Sequence, residues 1–200
     1  YQQEDKTFAE EISFIKSDES IKEVILSGGD PLSLSNETLS KLLTSIDQIP
    51  HITKIRFHTR FPIGIPERID SQFVKILSAL KKQVIFIIHT NHINELDQDI
   101  FDSLGYLQAI KIPILTQTVL LRGVNDNVET LASLFEALTN QGIIPYYLHQ
   151  LDQIEGSSYL EVSKEKGKEL ITKLRSLLPG YAIPSYVKEI PNKPNKTPLL

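Results

Sequence analysis

One repeated pattern constrains this chain more than any other feature. A short β-branched apolar run is followed by a polar or glycine-containing loop, then by an amphipathic stretch of helical period. Runs at 23–27 (EVILS), 54–58 (KIRFH), 83–88 (QVIFII), 110–115 (IKIPIL), 144–148 and 182–187 read as strands. Helical spacing appears over 4–16, 36–46, 71–80, 96–107, 128–140 and 164–178. Phe8, Ile12 and Ile15 mark the first helix. Leu39, Leu42, Leu43 and Ile46 mark the second, capped by Ser35 or Asn36. Strands alternating with helices of this length predict βαβ units and a parallel sheet. Runs that do not alternate polar with apolar predict strands covered on both faces. The polar clusters SGGDP, HTRFP, HTNHINE, TQTVLLRGVND and HQLDQIEG all follow strand ends, and in an α/β barrel those loops share the face that carries chemistry. No GxGxxG follows the first strand, so nothing favours a dinucleotide fold. The expected fold class is α/β, a partial (β/α) barrel incomplete at its N-terminus.

Composition narrows the chemistry. A formal net charge of -4 supplies no basic surface for nucleic acid or for an anionic membrane. No apolar run approaches the roughly 18–20 residues that span a bilayer, and no secretory segment opens the chain, so the cytoplasm is the expected compartment. The cysteine count is zero, which removes disulfides, thiolate zinc sites and cysteine-ligated iron–sulfur clusters from what these residues do alone. Methionine is also absent and the first residue is Tyr1, so the chain reads as an internal piece of a longer protein.

Several polar groups at strand ends are candidates. Ser27, Gly28, Gly29 and Asp30 form either a strand-to-helix turn or a loop that lets backbone approach a ligand, since glycine lacks Cβ and accepts positive φ. His58, His89, His92 and His149 lie at or past strand ends, but no HxH or HExxH spacing makes them a metal site. Arg60 and Arg122 suit either an anionic ligand or a neighbouring carboxylate. Asp152 and Glu189 follow the last two strands; together they would hold a cationic amine, and by spacing alone they are two solvated acids. Lys196, in the proline-rich stretch 192–197, reads by composition as part of a solvated tail, with a carbonyl-binding lysine as the functional option.

Taken together, SGGDPL (27–32), IPHI (49–52), TRFPIGIPERI (59–69), HTNHINE (89–95), QTVLLRGVNDN (117–127), PYYLHQLD (145–152), GYAIP (180–184) and KTPL (196–199) resemble the lysine 2,3-aminomutase family of radical S-adenosylmethionine enzymes, in order and spacing over nearly the whole chain. Within that family the pattern is similar to the branch that makes β-lysine for modification of translation elongation factor P. It has His149-Gln150-Leu151-Asp152 and Glu189 at positions where free-lysine enzymes differ, and it stops soon after KTP.

The resemblance implies a fold of the radical S-adenosylmethionine type, with 1–187 as the partial barrel core and 188–200 as a C-terminal segment bearing the cofactor lysine. It implies an isomerase that converts L-α-lysine to β-lysine with a [4Fe–4S] cluster, S-adenosylmethionine and pyridoxal 5′-phosphate. Lys196 would carry pyridoxal phosphate, and Asp152 and Glu189 would hold the substrate ε-ammonium. Ser27, Gly28, Gly29, Asp30, His89 and Gln117 would line the S-adenosylmethionine site. The implied partners are L-lysine and the elongation factor P pathway, with no nucleic acid and no membrane. The family's CxxxCxxC motif and first strand are absent, so no residue of this chain is a metal ligand and the fragment alone is expected to be inactive. Alternatives are a free-lysine or arginine 2,3-aminomutase, a non-radical pyridoxal-phosphate or phosphate-binding barrel, and a degenerate binding module that docks a translation factor.

Overall fold

A computed structural model describes residues 8–152, 155–191, 193 and 195–200. In chain order the principal elements are α1 (Ala9–Ser17), β1 (Glu23–Leu26), α2 (Asn36–Asp47), β2 (Lys54–Thr59), α3 (Phe61–Gly64), α4 (Ser71–Ser78), β3 (Gln83–His89) and α5 (Gln98–Ala109). Then follow β4 (Ile114–Leu120), α6 (Val128–Asn140), β5 (Ile144–Gln150), α7 (Lys164–Leu177), β6 (Ser185–Lys188) and β7 (Thr197–Pro198). The sheet order is the chain order, β1 to β7. The pairs β1–β2, β4–β5 and β5–β6 are parallel, and β7 runs antiparallel to β6. By internal contacts the chain divides into two units, Tyr1–Ile87 with Asp102–Pro113, and Ile88–Phe101 with Ile114–Leu200.

In the first unit, α2 begins where the Ser35 hydroxyl accepts the Thr38 amide, and α4 where the Asp70 carboxylate accepts the Phe73 amide at 2.7 Å. Leu39, Leu43 and Ile46 of α2 are buried, as the helical spacing predicts. The core centres on Phe57 of β2, which stacks on Phe86 of β3 with centroids 4.7 Å apart, while Phe73 of α4 meets both edge-on. Burying each such ring is worth about 2 kcal/mol. Arg68 donates to the carbonyls of Leu32 and Leu34 and to Asn36 Oδ1, fixing the chain between the glycine turn and α2. Helix α1 is the exception to its amphipathic reading: none of its residues is buried and Phe14 is 65% exposed.

The second unit buries Leu131, Leu134, Phe135 and Leu138 of α6 with Leu170, Ile171 and Leu174 of α7. Asn127 and Ser163 cap these helices, and Gly142, at φ +69°, ends α6 as a left-handed C′ residue. Tyr186 of β6 is 1% exposed; its hydroxyl donates to Gln150 Oε1, and Gln150 Nε2 donates to the Val162 carbonyl. Burial pushes the Tyr186 hydroxyl up to about 12. No helix among the described residues is long and apolar enough to cross a membrane.

Four expectations change. The fourth strand lies at Ile114–Leu120 rather than 110–115. Residues 110–113 form its entry turn, with Lys111 at φ +63° and the Pro113 carbonyl accepting the Phe86 amide. Its centre is Thr116, Gln117 and Thr118, buried polar residues that no apolar-run criterion detects. The stretch 180–182 is a short helical turn, so β6 starts at Ser185. Residues 197–198 pair as β7 instead of trailing in solvent. Burial along β2 alternates, with Ile55, Phe57 and Thr59 buried and Arg56 and His58 half-buried on the other face.

Gly167 of α7 faces Tyr186, and a Cβ there would overlap the phenol ring, whereas a Cβ at Gly105 in α5 meets nothing within 4 Å. Thermal denaturation should therefore show Gly167→Ala destabilising by about 1–3 kcal/mol, and Gly105→Ala stabilising by about 1 kcal/mol through helix propensity.

Candidate active site

The first unit contributes the turn after β1. Gly28 and Gly29 adopt φ +78° and +88°, and a Cβ on either would meet no atom within 4 Å. Both the conformation and the open approach suit glycine, and the turn is solvent-facing. Asp30 works differently from its neighbours. Its Oδ1 accepts from the Leu32 amide and from Thr59 Oγ1 at 2.7 Å, and its Oδ2 accepts from the Arg60 amide at 2.7 Å. Asp30 therefore ties the glycine turn to the end of β2, where Thr59 is buried. Arg56 is spent on an ion pair with Glu23 at 2.8 Å.

The second unit contributes the ends of β3 to β7. His92 accepts the Asn94 amide through Nδ1 and so closes a local turn. Asn91 and Asn125, which sequence reasoning passed over, hold the β3 and β4 ends together. Asn125 donates to the carbonyls of Asn91 and Val119 and accepts the Leu121 amide, while Asn91 Oδ1 accepts the Val119 amide. Their signal was present as the asparagines of HTNH and GVND. Beside them Gln117 is 8% exposed, with its Nε2 lacking a hydrogen-bond partner, and the His149 Nε2 is likewise buried and unpartnered. Val119 and His149 are register partners on β4 and β5, so Gln117 lies two residues before that pair.

Glu189 and Lys196 meet. Antiparallel pairing sets Lys188 opposite Thr197 and Val187 opposite Pro198, and the Leu199 amide donates to the Tyr186 carbonyl at 2.8 Å. Glu189 and Lys196 come just beyond the end of that ladder, and Lys196 Nζ donates to Glu189 Oε2 at 2.8 Å. The Lys196 ammonium holds the Glu189 carboxyl below the usual carboxylate range. Asp152, just past β5, is exposed, and no hydrogen bond or ion pair among the described residues joins it to Glu189 or Lys196. Burial lowers the His149 imidazole to about 4; the Lys196 charge adds to this and the Glu189 charge opposes it. His149 is therefore neutral at pH 7. Arg122 is exposed and serves the fold through its backbone amide, which bonds the Leu160 carbonyl.

These surroundings differ in what they fit. In the first unit the exposed backbone at Gly28 and Gly29 leaves room for a polar ligand to approach, and in the second unit the buried Gln117 amide has no internal acceptor. Lys196, an amine 29% exposed beside a neutral imidazole, suits an aldehyde cofactor such as pyridoxal phosphate. A cysteine-bound iron–sulfur cluster does not fit: the chain has no cysteine, and no group of three or more His, Asp or Glu among the described residues is placed to hold a metal.

Solved structures show the fold. The chain is similar to SuiB of Streptococcus suis bound to S-adenosylmethionine, with a TM-score of 0.66 at 11% identity over 95% of this chain and 45% of that one. It is also similar to a radical SAM methyltransferase from Sphaerobacter thermophilus, with a TM-score of 0.60 at 16% identity over 84% of this chain and 51% of that one. The fold is the partial α/β barrel of radical S-adenosylmethionine proteins. By sequence the chain is 39% identical over 188 residues to the L-lysine 2,3-aminomutase of Escherichia coli K12, covering 94% of this chain and 55% of that protein. The L-lysine 2,3-aminomutase of Haemophilus influenzae is 39% identical over 93% of this chain and 55% of its own length. The chain spans about half the length of the curated relatives it matches. No family model matches it.

The buried histidine carries a pH prediction. Unfolded, His149 takes a proton near its ordinary 6.5; folded, it does so only near 4. Between those values the unfolded chain binds more protons, so stability falls as pH falls from about 6.5 to about 4. Denaturant melts at pH 7 and pH 4 should show the parent losing more stability than His149→Gln, by up to roughly 3 kcal/mol. Equal acid losses would mean that His149 charges as readily folded as unfolded.

Proposed function

We propose that the whole protein is a lysine 2,3-aminomutase that moves the amino group of L-lysine from C2 to C3, and that its β-lysine serves the modification of translation elongation factor P. The observation that carries this reading is the Glu189–Lys196 pair: a carboxylate suited to an ammonium lies 2.8 Å from an amine suited to an aldehyde cofactor. It occurs in a chain 39% identical to curated L-lysine 2,3-aminomutases. The elongation factor P branch rests on the His149-Gln150-Leu151-Asp152 sequence and on Glu189.

Each group has a task under this reading. Glu189, ionised at neutral pH, holds the ε-ammonium of lysine by a charge-assisted hydrogen bond, and Asp152 adds a second carboxylate. Lys196, in the segment 188–200, is the attachment point for pyridoxal phosphate, which supplies electron-sink chemistry when bound. Ser27, Gly28 and Gly29 offer backbone to S-adenosylmethionine, Asp30 braces their turn, and His89 and Gln117 offer side-chain groups to the same ligand. The [4Fe–4S] cluster is assigned to no residue of this chain. The neutral imidazole of His149 keeps a second positive charge away from Lys196.

Anaerobically reconstituted full-length protein should convert L-lysine to β-lysine, with the product read by mass spectrometry. Lys196→Ala should lose the absorbance of bound pyridoxal phosphate, and retention of that absorbance would remove Lys196 from its role. Glu189→Gln should raise KM for lysine by roughly 10- to 100-fold, the value of a hydrogen bond to a charged group. An unchanged KM would place the ammonium elsewhere.

A further inference from the structure

We propose that the Lys196 side chain is itself the resident occupant of the ammonium subsite at Glu189, so that ligand cations and Lys196 compete for one carboxylate. The proposal rests on reading Glu189 as the ε-ammonium subsite. Lys196 presents the same butylammonium group that a free lysine would bring, and its Nζ already lies 2.8 Å from Glu189 Oε2. The contact is built in rather than casual. The β6–β7 ladder and the Leu199 amide to Tyr186 carbonyl bond fix the backbone immediately after Lys196, which keeps its effective concentration at Glu189 high.

Exposure makes the exchange feasible. The Glu189 side chain is 62% exposed and the Lys196 side chain 29%, so the carboxylate keeps an open side while the lysine leans against the protein. No other cation among the described residues pairs with Glu189. An ion pair this exposed is worth at most about 1 kcal/mol, so an incoming ammonium can displace it. The order of events follows. Glu189 becomes fully available once the Lys196 nitrogen is drawn to another partner, so a subsite for lysine is kept filled by the chain's own lysine until then.

The test uses full-length protein freed of carbonyl compounds with hydroxylamine, titrated with pentylammonium and followed by NMR. Pentylammonium carries only the cationic end of the ligand. Lys196→Met should bind it about two- to fivefold tighter than wild type, the range an exposed ion pair spans. Lys196→Arg, which restores a cation opposite Glu189, should return to the wild-type affinity, and Glu189→Gln should lose binding. Circular dichroism confirms that each variant is folded, and Lys196→Gln replaces Lys196→Met if the latter is not. If removing Lys196 leaves affinity unchanged while Glu189→Gln abolishes binding, self-occupancy is wrong and the subsite stands. If Glu189→Gln binds as wild type does, the subsite reading fails and the proposal with it.

Discussion

A two-residue strand running against β6 decides the chemistry of the second unit. Parallel strands β4, β5 and β6 deliver their polar ends together, but they leave the chain after Lys188 without a reason to return. The antiparallel β7 supplies it: pairing at Val187 and Lys188 brings residue 196 back beside residue 189. Backbone hydrogen bonds therefore place the charged pair, and the charges do not have to hold the hairpin. This matters because an ion pair as exposed as Glu189–Lys196 contributes too little to organise a chain segment.

The neighbouring histidine shows which force dominates there. Glu189 would favour an imidazolium at His149, yet burial and the Lys196 charge together outweigh it. Lys196 thus has a carboxylate partner on one side and an uncharged ring within electrostatic reach. A buried nitrogen with no internal partner carries a desolvation cost of about 1–3 kcal/mol, and Gln117 and His149 each have one. The two groups lie on adjacent strands, β4 and β5.

The same residue types play opposite parts elsewhere. Asp30 sits in the glycine turn and looks like a ligand group, but three internal hydrogen bonds occupy it. Asn125 looks like an ordinary loop residue, yet it satisfies two carbonyls and one amide across two strand ends. Sequence pattern alone does not separate a brace from a binding group, because both need short polar side chains at strand ends.

Local periodicity and caps were enough to determine most helices. Ser35, Asp70, Asn127 and Ser163 stand where apolar spacing begins, and each accepts an amide of the first turn. The glycine turn was equally legible, since it depends on residues adjacent in the chain, whereas the cluster beginning at Thr116 lies inside β4 rather than after it. The polar centre of β4, the returning β7 and the contact of Glu189 with Lys196 were not. Each depends on hydrogen bonds between segments whose pairing partner no local pattern names, and a lysine in a proline-rich stretch has the same composition whether solvated or held beside a carboxylate. The tertiary structure made that choice through the backbone ladder, which brought Lys196 to Glu189 and left Asp152 exposed, with no such partner among the described residues.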